Sequence, residues 1–241
     1  MNRLPTLGGL LVLVLALAGC EQVDRLRHAV MPRGDLQAAL EAEAPRSEIS
    51  AVRAFYQARN YEPLWVDDRG LAPQGDSLLQ RLCQAATEGL RPEDYNFTRL
   101  DAAHERLAGG AKDSSSAAAL AALDVALSEA YLEYASDLSR GRVPLDRLGG
   151  IWKLQRSDSL DARATLDRVA EVGLEASVDS LFGAHSGYSN LRDALARYRR
   201  LYAQGGWGTV ASARDRAGLI RRLRVTGELT DSTEAGLSAA V

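Results

Sequence analysis

The sequence predicts an all-α protein, with an irregular multi-helix domain followed by the start of a small helical domain. Three observations support this prediction. Apolar residues recur at steps of three and four, long alternating β-branched runs are absent, and glycine or proline interrupts the segments. The clearest helix is predicted from Ala117 to Ser139, where leucine and tyrosine form one sustained apolar face. We expect this helix to end at Gly141, because glycine readily terminates helices.

Shorter helices are predicted on both sides of this long one. Ser47 is the expected N-cap of a helix that ends near Asn60. The segment from Tyr61 to Val66 should be extended, because Pro63 disfavours helical geometry in the residue before it. After a turn at Asp67–Gly70, a second helix is expected to point five residues inward, namely Leu78, Leu79, Leu82, Cys83 and Ala86. Further helical segments are predicted around Leu100–Leu107, Leu160–Val172, Ser189–Ala203, Leu219–Leu223 and Thr233–Val241. A turn at Thr226–Leu229 is expected between the last two.

The amino terminus resembles a bacterial lipoprotein signal. Its apolar run is too short and too rich in small residues to span a membrane comfortably. The run ends in Leu17-Ala18-Gly19-Cys20, which resembles the lipobox where a cysteine is acylated. We predict a signal peptide at residues 1–19 and lipid attachment at Cys20; a plain signal with a chance cysteine is the alternative. The chain would lie on the periplasmic face of a bacterial membrane, and Glu21 favours the outer membrane.

Composition divides the remainder of the chain into three parts. Residues 20–46 combine charges, two prolines and weak periodicity, which favours a tether with at most a short helix around Asp35–Ala44. Residues 47–208 are predicted to form the main helical domain. Residues 214–241 are too few to close a core alone, so they are interpreted as an incomplete second domain, and the chain is expected to be truncated there.

Charge and composition argue against several classes of function. Twenty-nine basic and 32 acidic residues give a net charge of −3, which argues against a nucleic-acid partner and against a strong overall attraction to an anionic membrane. The arginine clusters at 197–200 and 221–224 are interpreted as solvated helix faces. Two cysteines cannot form a disulfide framework, and three scattered histidines leave little material for a metal centre. We predict no metal and no cofactor.

No residue is assigned a catalytic role. Cys83 lies within a predicted helix on its leucine face, which predicts a buried structural thiol. The carboxylate pairs Asp67-Asp68 and Glu93-Asp94 occur in predicted turns, where acids commonly bond local backbone groups. Asp124 is expected to be either an interior acid paired with an arginine or a residue at the edge of the apolar face. Packing is preferred over sugar stacking for two tryptophans, Trp65 and Trp152.

The order of several modest motifs resembles the amino-terminal scaffold of large murein L,D-transpeptidases. These motifs are Phe55-Tyr56, Tyr61-Glu62-Pro63-Leu64-Trp65, Glu88-Gly89-Leu90-Arg91-Pro92-Glu93-Asp94-Tyr95, Leu127-Ser128-Glu129-Ala130-Tyr131 and Tyr188-Ser189-Asn190-Leu191. One departure is the absence of a proline shortly before Tyr188. Residues 219–241 are similar to the opening of a small peptidoglycan-binding repeat domain.

This resemblance implies a periplasmic enzyme that joins peptidoglycan stem peptides between two diaminopimelate residues through an acyl-thioester on cysteine. The catalytic domain of that family carries a Ser-His-Gly-Cys-x-Arg motif, and no His-Gly-Cys triplet occurs in this sequence. We therefore expect a non-catalytic scaffold portion that is inert as an enzyme in this form. The alternative is a stand-alone envelope lipoprotein that binds peptidoglycan or a partner cell-wall enzyme.

Overall fold

The computed structural model describes residues 33–108, 114–142, 160–182, 186–212 and 214–229. Within these ranges the chain is mainly α-helical, as predicted, with one antiparallel two-stranded hairpin. Its α-helices are α1 (Arg33–Glu43), α2 (Ser50–Ala58), α3 (Pro73–Cys83), α4 (Phe97–Ala108), α5 (Ser114–Arg140), α6 (Ala162–Val172), α7 (Leu174–Phe182), α8 (Ser186–Ala203) and α9 (Arg216–Thr226). Shorter elements are the 3₁₀ helices Ala44–Arg46, Ala85–Glu88 and Pro92–Tyr95 and the strands β1 (Val66–Asp67) and β2 (Gly70–Leu71). No helix among these is long and apolar enough to cross a membrane.

The described residues divide into two compact units. The first unit consists of the described residues within Met1–Ala86 and Leu90–Gly183. The second unit consists of Thr87–Gly89 and the described residues within Ala184–Val241. In the first unit, α5 is the central element, and α1, α3, α4, α6 and α7 all contact it. Its fully buried side chains include Leu120, Leu127, Tyr131 and Tyr134. The predicted apolar face of the long helix is therefore the centre of the core, and Gly141, with φ of 68°, follows its end.

Helix α1 belongs to the folded core, which corrects the interpretation of residues 20–46 as a tether. Leu36, Leu40 and Ala44 are buried against the rest of the first unit. The four-residue spacing of these side chains puts them on one helix face, and the surrounding charged residues obscured that short stripe. The remainder of the predicted tether, together with Cys20, lies outside the described residues.

The start of α2 also differs from the prediction. The helix begins at Ser50 and its N-cap is Ile49, which makes no side-chain capping bond. Ser47 instead accepts a hydrogen bond from the Ile49 N–H at 3.2 Å and donates one to the Glu129 carboxylate at 2.5 Å. The Ser47 side chain therefore connects the entry of α2 to α5, and the helix starts two residues later than expected.

The predicted turn at Asp67–Gly70 is the hairpin between β1 and β2. The Asp67 carboxylate accepts hydrogen bonds from the N–H groups of Arg69 at 2.7 Å and Gly70 at 3.2 Å. Val66 pairs with Leu71 across the hairpin. Local backbone bonding by this acid, which the sequence predicted, is confirmed.

Helix α7 was not predicted. Gly173, with φ of 84°, separates it from α6 in a conformation that glycine adopts without strain. Leu174, Ser177 and Val178 are buried, and the Ser177 hydroxyl shares a 2.8 Å hydrogen bond with the Tyr131 hydroxyl of α5. Only nine residues long, α7 offers too short an apolar pattern to be recognised without its packing partner.

The second unit contains α8 and α9. Within it, the Glu88 carboxylate accepts a 2.5 Å hydrogen bond from the Tyr188 hydroxyl and pairs with Arg192 at 3.1 Å. The Asp215 side chain caps the start of α9 by accepting from the Gly218 N–H at 2.9 Å. Gly227, with φ of 80°, ends this helix at the predicted turn. The helix expected at 233–241 lies outside the described residues.

Candidate functional site

A fully buried carboxylate holds the extended segment of the first unit against α5. Asp124 Oδ1 accepts hydrogen bonds from the backbone N–H groups of Trp65 at 2.6 Å and Val66 at 2.9 Å. The Leu64 N–H lies 3.1 and 3.2 Å from the two carboxylate oxygens. The Tyr56 hydroxyl donates to Oδ2 at 2.5 Å. One side chain thereby accepts hydrogen bonds from three consecutive backbone amides.

Ser128, one helical turn after Asp124, extends this network. Its Oγ lies 2.7 Å from the Tyr56 hydroxyl and accepts from the Trp65 indole N–H at 2.8 Å. The Trp65 ring packs against Tyr131 with a centroid separation of 5.6 Å. The packing role expected for Trp65 is confirmed, whereas Trp152 lies outside the described residues.

The interior position of Asp124 was one of two alternatives, and its partners were not foreseen. An arginine was the expected partner, but the donors are backbone amides and a tyrosine hydroxyl. Burial raises the pKa of the Asp124 carboxyl, against the opposing effect of these hydrogen bonds. Burial and the neighbouring carboxylate also raise the pKa of Tyr56.

The raised pKa of Asp124 predicts a pH-dependent contribution to stability. The native state holds this proton more tightly than the unfolded chain, so the contribution is complete below the unfolded pKa of about 4. It is lost as the pH rises through the native pKa. The free energy of unfolding of the wild type should therefore fall relative to that of Asp124→Asn as the pH rises from about 4. Urea denaturation of both proteins at several pH values above about 4 measures this change. A wild type that gains stability relative to Asp124→Asn as the pH rises would contradict the prediction.

An open groove runs along the opposite side of α5, between that helix, α4 and the entry of α2. Its volume is about 870 Å³. The floor is apolar and includes Leu100, Leu123 and Ala130, which are buried. Small side chains of α5 widen the groove, namely Ser116, Ala119, Ala122 and Ala126. Their recurrence along one face of the predicted helix is the sequence signal that could have identified this groove.

Charged side chains of both signs form the rim of the groove. Arginines come from α4 and from the 3₁₀ helix after α1, namely Arg99, Arg106 and Arg46. Carboxylates come from α1, the entry of α2 and α5, namely Glu43, Glu48, Glu129 and Glu133. Arg46 pairs with Glu43 at 3.2 Å. Partial burial, followed by repulsion from Asp137 and Glu129, raises the pKa of Glu133. An occupant carrying both an amine and carboxylates would match this rim.

The described lining of the groove offers carboxylates, guanidiniums and serine hydroxyls among its polar groups. Among these described residues there is neither cysteine nor histidine, and so no thiol or imidazole for nucleophilic catalysis. Over the described ranges, no group of three or more histidine, cysteine, aspartate or glutamate side chains is arranged to hold a metal ion.

The structure corrects the expected burial of Cys83. This residue is the last of α3 and its thiol is exposed. Leu78, Leu79 and Leu82 are buried as predicted, but Cys83 lies about 100° around the helix from Leu82 and faces solvent. The sequence pattern placed it on the leucine face because the helix was assumed to continue to Ala86.

A maleimide reagent should modify Cys83 without denaturant. In the chain lacking its first twenty residues, Cys83 is the remaining thiol, so we expect labelling rates in native and denaturing buffer to agree within about tenfold, as for an exposed thiol. The control is Leu82→Cys in a Cys83→Ser background, which moves the thiol to a fully buried position. Strong native-state protection of Cys83 would contradict the exposure.

The second predicted carboxylate pair is also structural. Asp94 forms ion pairs with Arg91, at 2.7 Å, and with Arg142. These two guanidiniums hold the pKa of the Asp94 carboxyl below its usual range. Neither this acid nor Asp67 lines the groove, so the structure does not bring the two predicted pairs together across a cleft.

A family model described as Scaffold domain matches residues 50–195 of the chain. Neither a curated protein nor a solved structure matches the chain. The matched range contains Asp124, its partners and most of the groove, but it stops before α9.

Proposed function

Because this chain belongs to the Scaffold domain family, we propose that it is the non-catalytic scaffold portion of a periplasmic L,D-transpeptidase that serves peptidoglycan cross-linking. The observation that carries the proposal is the family match over residues 50–195, which coincides with the motifs that resemble the transpeptidase scaffold. The proposal includes lipid attachment at Cys20, which would hold the chain at the periplasmic face of a membrane, the outer membrane in particular.

Within this proposal, the groove along α5 binds peptidoglycan stem peptides. Such peptides carry free carboxylates, and diaminopimelate adds a free amine. The arginines of α4 offer charge-assisted hydrogen bonds to the carboxylates, and Glu129 and Glu133 face the groove as partners for the amine. The alanine floor leaves room for a peptide backbone to approach α5. Binding at this groove would position peptide strands without reacting with them.

Sedimentation with isolated cell-wall sacculi tests the proposal. The chain lacking its first twenty residues should pellet with sacculi at physiological salt. Ala122→Trp fills the groove from an exposed position and should abolish most of this retention. Ala118→Trp is the matched control, since it is equally exposed on α5 but does not line the groove. Failure to pellet would refute peptidoglycan binding, and equal retention of the two variants would refute the groove as its site.

The alternative is a stand-alone envelope lipoprotein whose groove docks a partner cell-wall enzyme. The mixed charge of the rim suits a protein segment as well as a stem peptide. Competition distinguishes the two, because free tripeptide or tetrapeptide stems should displace the chain from sacculi only if the groove binds stem peptides.

A further inference from the structure

Helix α8 in the second unit presents an unusual exposed apolar face. Four apolar side chains recur at steps of four, three and four residues, so they share one side of the helix. They are Leu191, Leu195, Tyr198 and Tyr202. Leu191 is 72% exposed, Tyr198 46% and Tyr202 79%. These are three of the four large hydrophobic side chains exposed in the described part of the chain. We call these four residues the α8 face.

Aromatic and arginine side chains adjoin the α8 face. The Trp207 ring contacts the Tyr198 ring at a centroid separation of 5.6 Å. The Arg197 guanidinium lies 5.4 Å from the centre of the Tyr198 ring. Arg221 of α9 packs beside Gly208, which follows Trp207 in the chain. The end of α8, the glycine-rich turn and α9 thus contribute to one surface of the second unit.

The charge of this unit is opposite in sign to that of the whole chain. Helices α8 and α9 carry eight arginines and a single aspartate, Asp193. The complete sequence has a net charge of −3. Arginine is therefore concentrated beside this exposed apolar stripe, and an anionic partner complements both features.

We propose that the α8 face and its flanking arginines bind the headgroup region of an anionic phospholipid bilayer. A helix with leucine and tyrosine on one face and arginine beside it lies in the plane of the membrane interface. Leucine enters the acyl boundary, tyrosine and tryptophan favour the headgroup level, and arginines reach lipid phosphates. An uncharged glycan would offer the aromatic rings a stacking surface, but it gives the arginines no counter-charge.

This surface is distinct from the groove and does not require acylation of Cys20. It would bring the second unit onto the bilayer, whereas a lipid on Cys20 would restrain only the amino terminus. The proposal therefore stands or falls separately from peptidoglycan binding by the first unit.

Vesicle sedimentation of the chain lacking its first twenty residues tests the proposal. We expect binding to vesicles of equimolar phosphatidylglycerol and phosphatidylcholine, and little binding to pure phosphatidylcholine. Replacing Arg197 and Arg199, which flank Tyr198, by glutamine should lower the partition coefficient about twenty-five-fold, since each arginine near an anionic surface contributes a factor of about five. The matched control replaces Arg99 and Arg106 by glutamine, which changes the net charge equally but leaves α8 intact.

A fluorescent probe tests whether the α8 face itself enters the interface. In a Cys83→Ser background, an environment-sensitive dye at Leu191→Cys should shift to the blue on addition of anionic vesicles. The same dye at Ala196→Cys, on another side of α8, should not. Three results would each overturn the proposal. They are equal vesicle binding by the two arginine variants, the absence of a blue shift at position 191, and sedimentation with sacculi but with neither type of vesicle.

Discussion

Replacement of Asp124 by alanine is expected to lower the free energy of unfolding by about 4 kcal/mol, because it leaves buried donors without an acceptor. The donors are the backbone N–H groups of Leu64, Trp65 and Val66, which cannot rotate toward water. The Tyr56 hydroxyl keeps a partner, since Ser128 lies 2.7 Å away. Urea denaturation followed by circular dichroism measures the loss.

Asparagine at position 124 should cost far less, about 1 kcal/mol at neutral pH. Its carbonyl oxygen can take the place of Oδ1, which accepts from Trp65 and Val66. Its amide can donate to the Tyr56 hydroxyl in a reversed hydrogen bond, and the cost of burying a charge disappears. Asp179→Asn, at an exposed position on α7, is the control and should leave stability unchanged. If Asp124→Ala and Asp124→Asn lowered the free energy of unfolding equally, the negative charge of Asp124 would explain its role. Its hydrogen bonds to the buried backbone N–H groups would then not be the cause.

The helices that bury a sustained apolar stripe were predictable from sequence. In α5 the leucine and tyrosine spacing identified the face that forms the core, and in α9 the glycine at 227 identified the end of the helix. Local turn chemistry was equally informative, because the Asp67 carboxylate bonds backbone groups only two and three residues away. Such features depend on neighbours in the sequence, so one sequence suffices to predict them.

The features that were missed depend on contacts between residues distant in the sequence. Asp124 is separated from Trp65 by 59 residues, and no local pattern indicates that three backbone amides will converge on it. Leu36 and Leu40 are buried only because other helices of the first unit cover them. The exposure of Cys83 has a local cause, since this last residue of α3 lies about 100° around the helix from Leu82, at the edge of the leucine face.

The extended segment that Asp124 binds is also contacted tightly from α3, at Gly75. A Cβ atom at this glycine would lie 2.2 Å from the Trp65 carbonyl oxygen and 2.9 Å from Leu71 Cδ2. That oxygen accepts a hydrogen bond from the Ala72 N–H at 2.9 Å, so it has little freedom to move. Gly75→Ala should therefore destabilise the protein by about 2 kcal/mol, although alanine favours helices over glycine by about 1 kcal/mol.

Gly34→Ala provides the matched comparison for Gly75→Ala. Gly34 also lies in the first turn of its helix, but nothing is within 4 Å of its Cβ position. Alanine there gains helix propensity without a clash, so stability should rise by up to about 1 kcal/mol. The two substitutions are chemically identical, so opposite signs in urea denaturation isolate the contact with the Trp65 carbonyl. If Gly75→Ala were also stabilising, the close approach of α3 to the extended segment would be wrong. The segment would then be held against α5 by Asp124 and Ser128 alone.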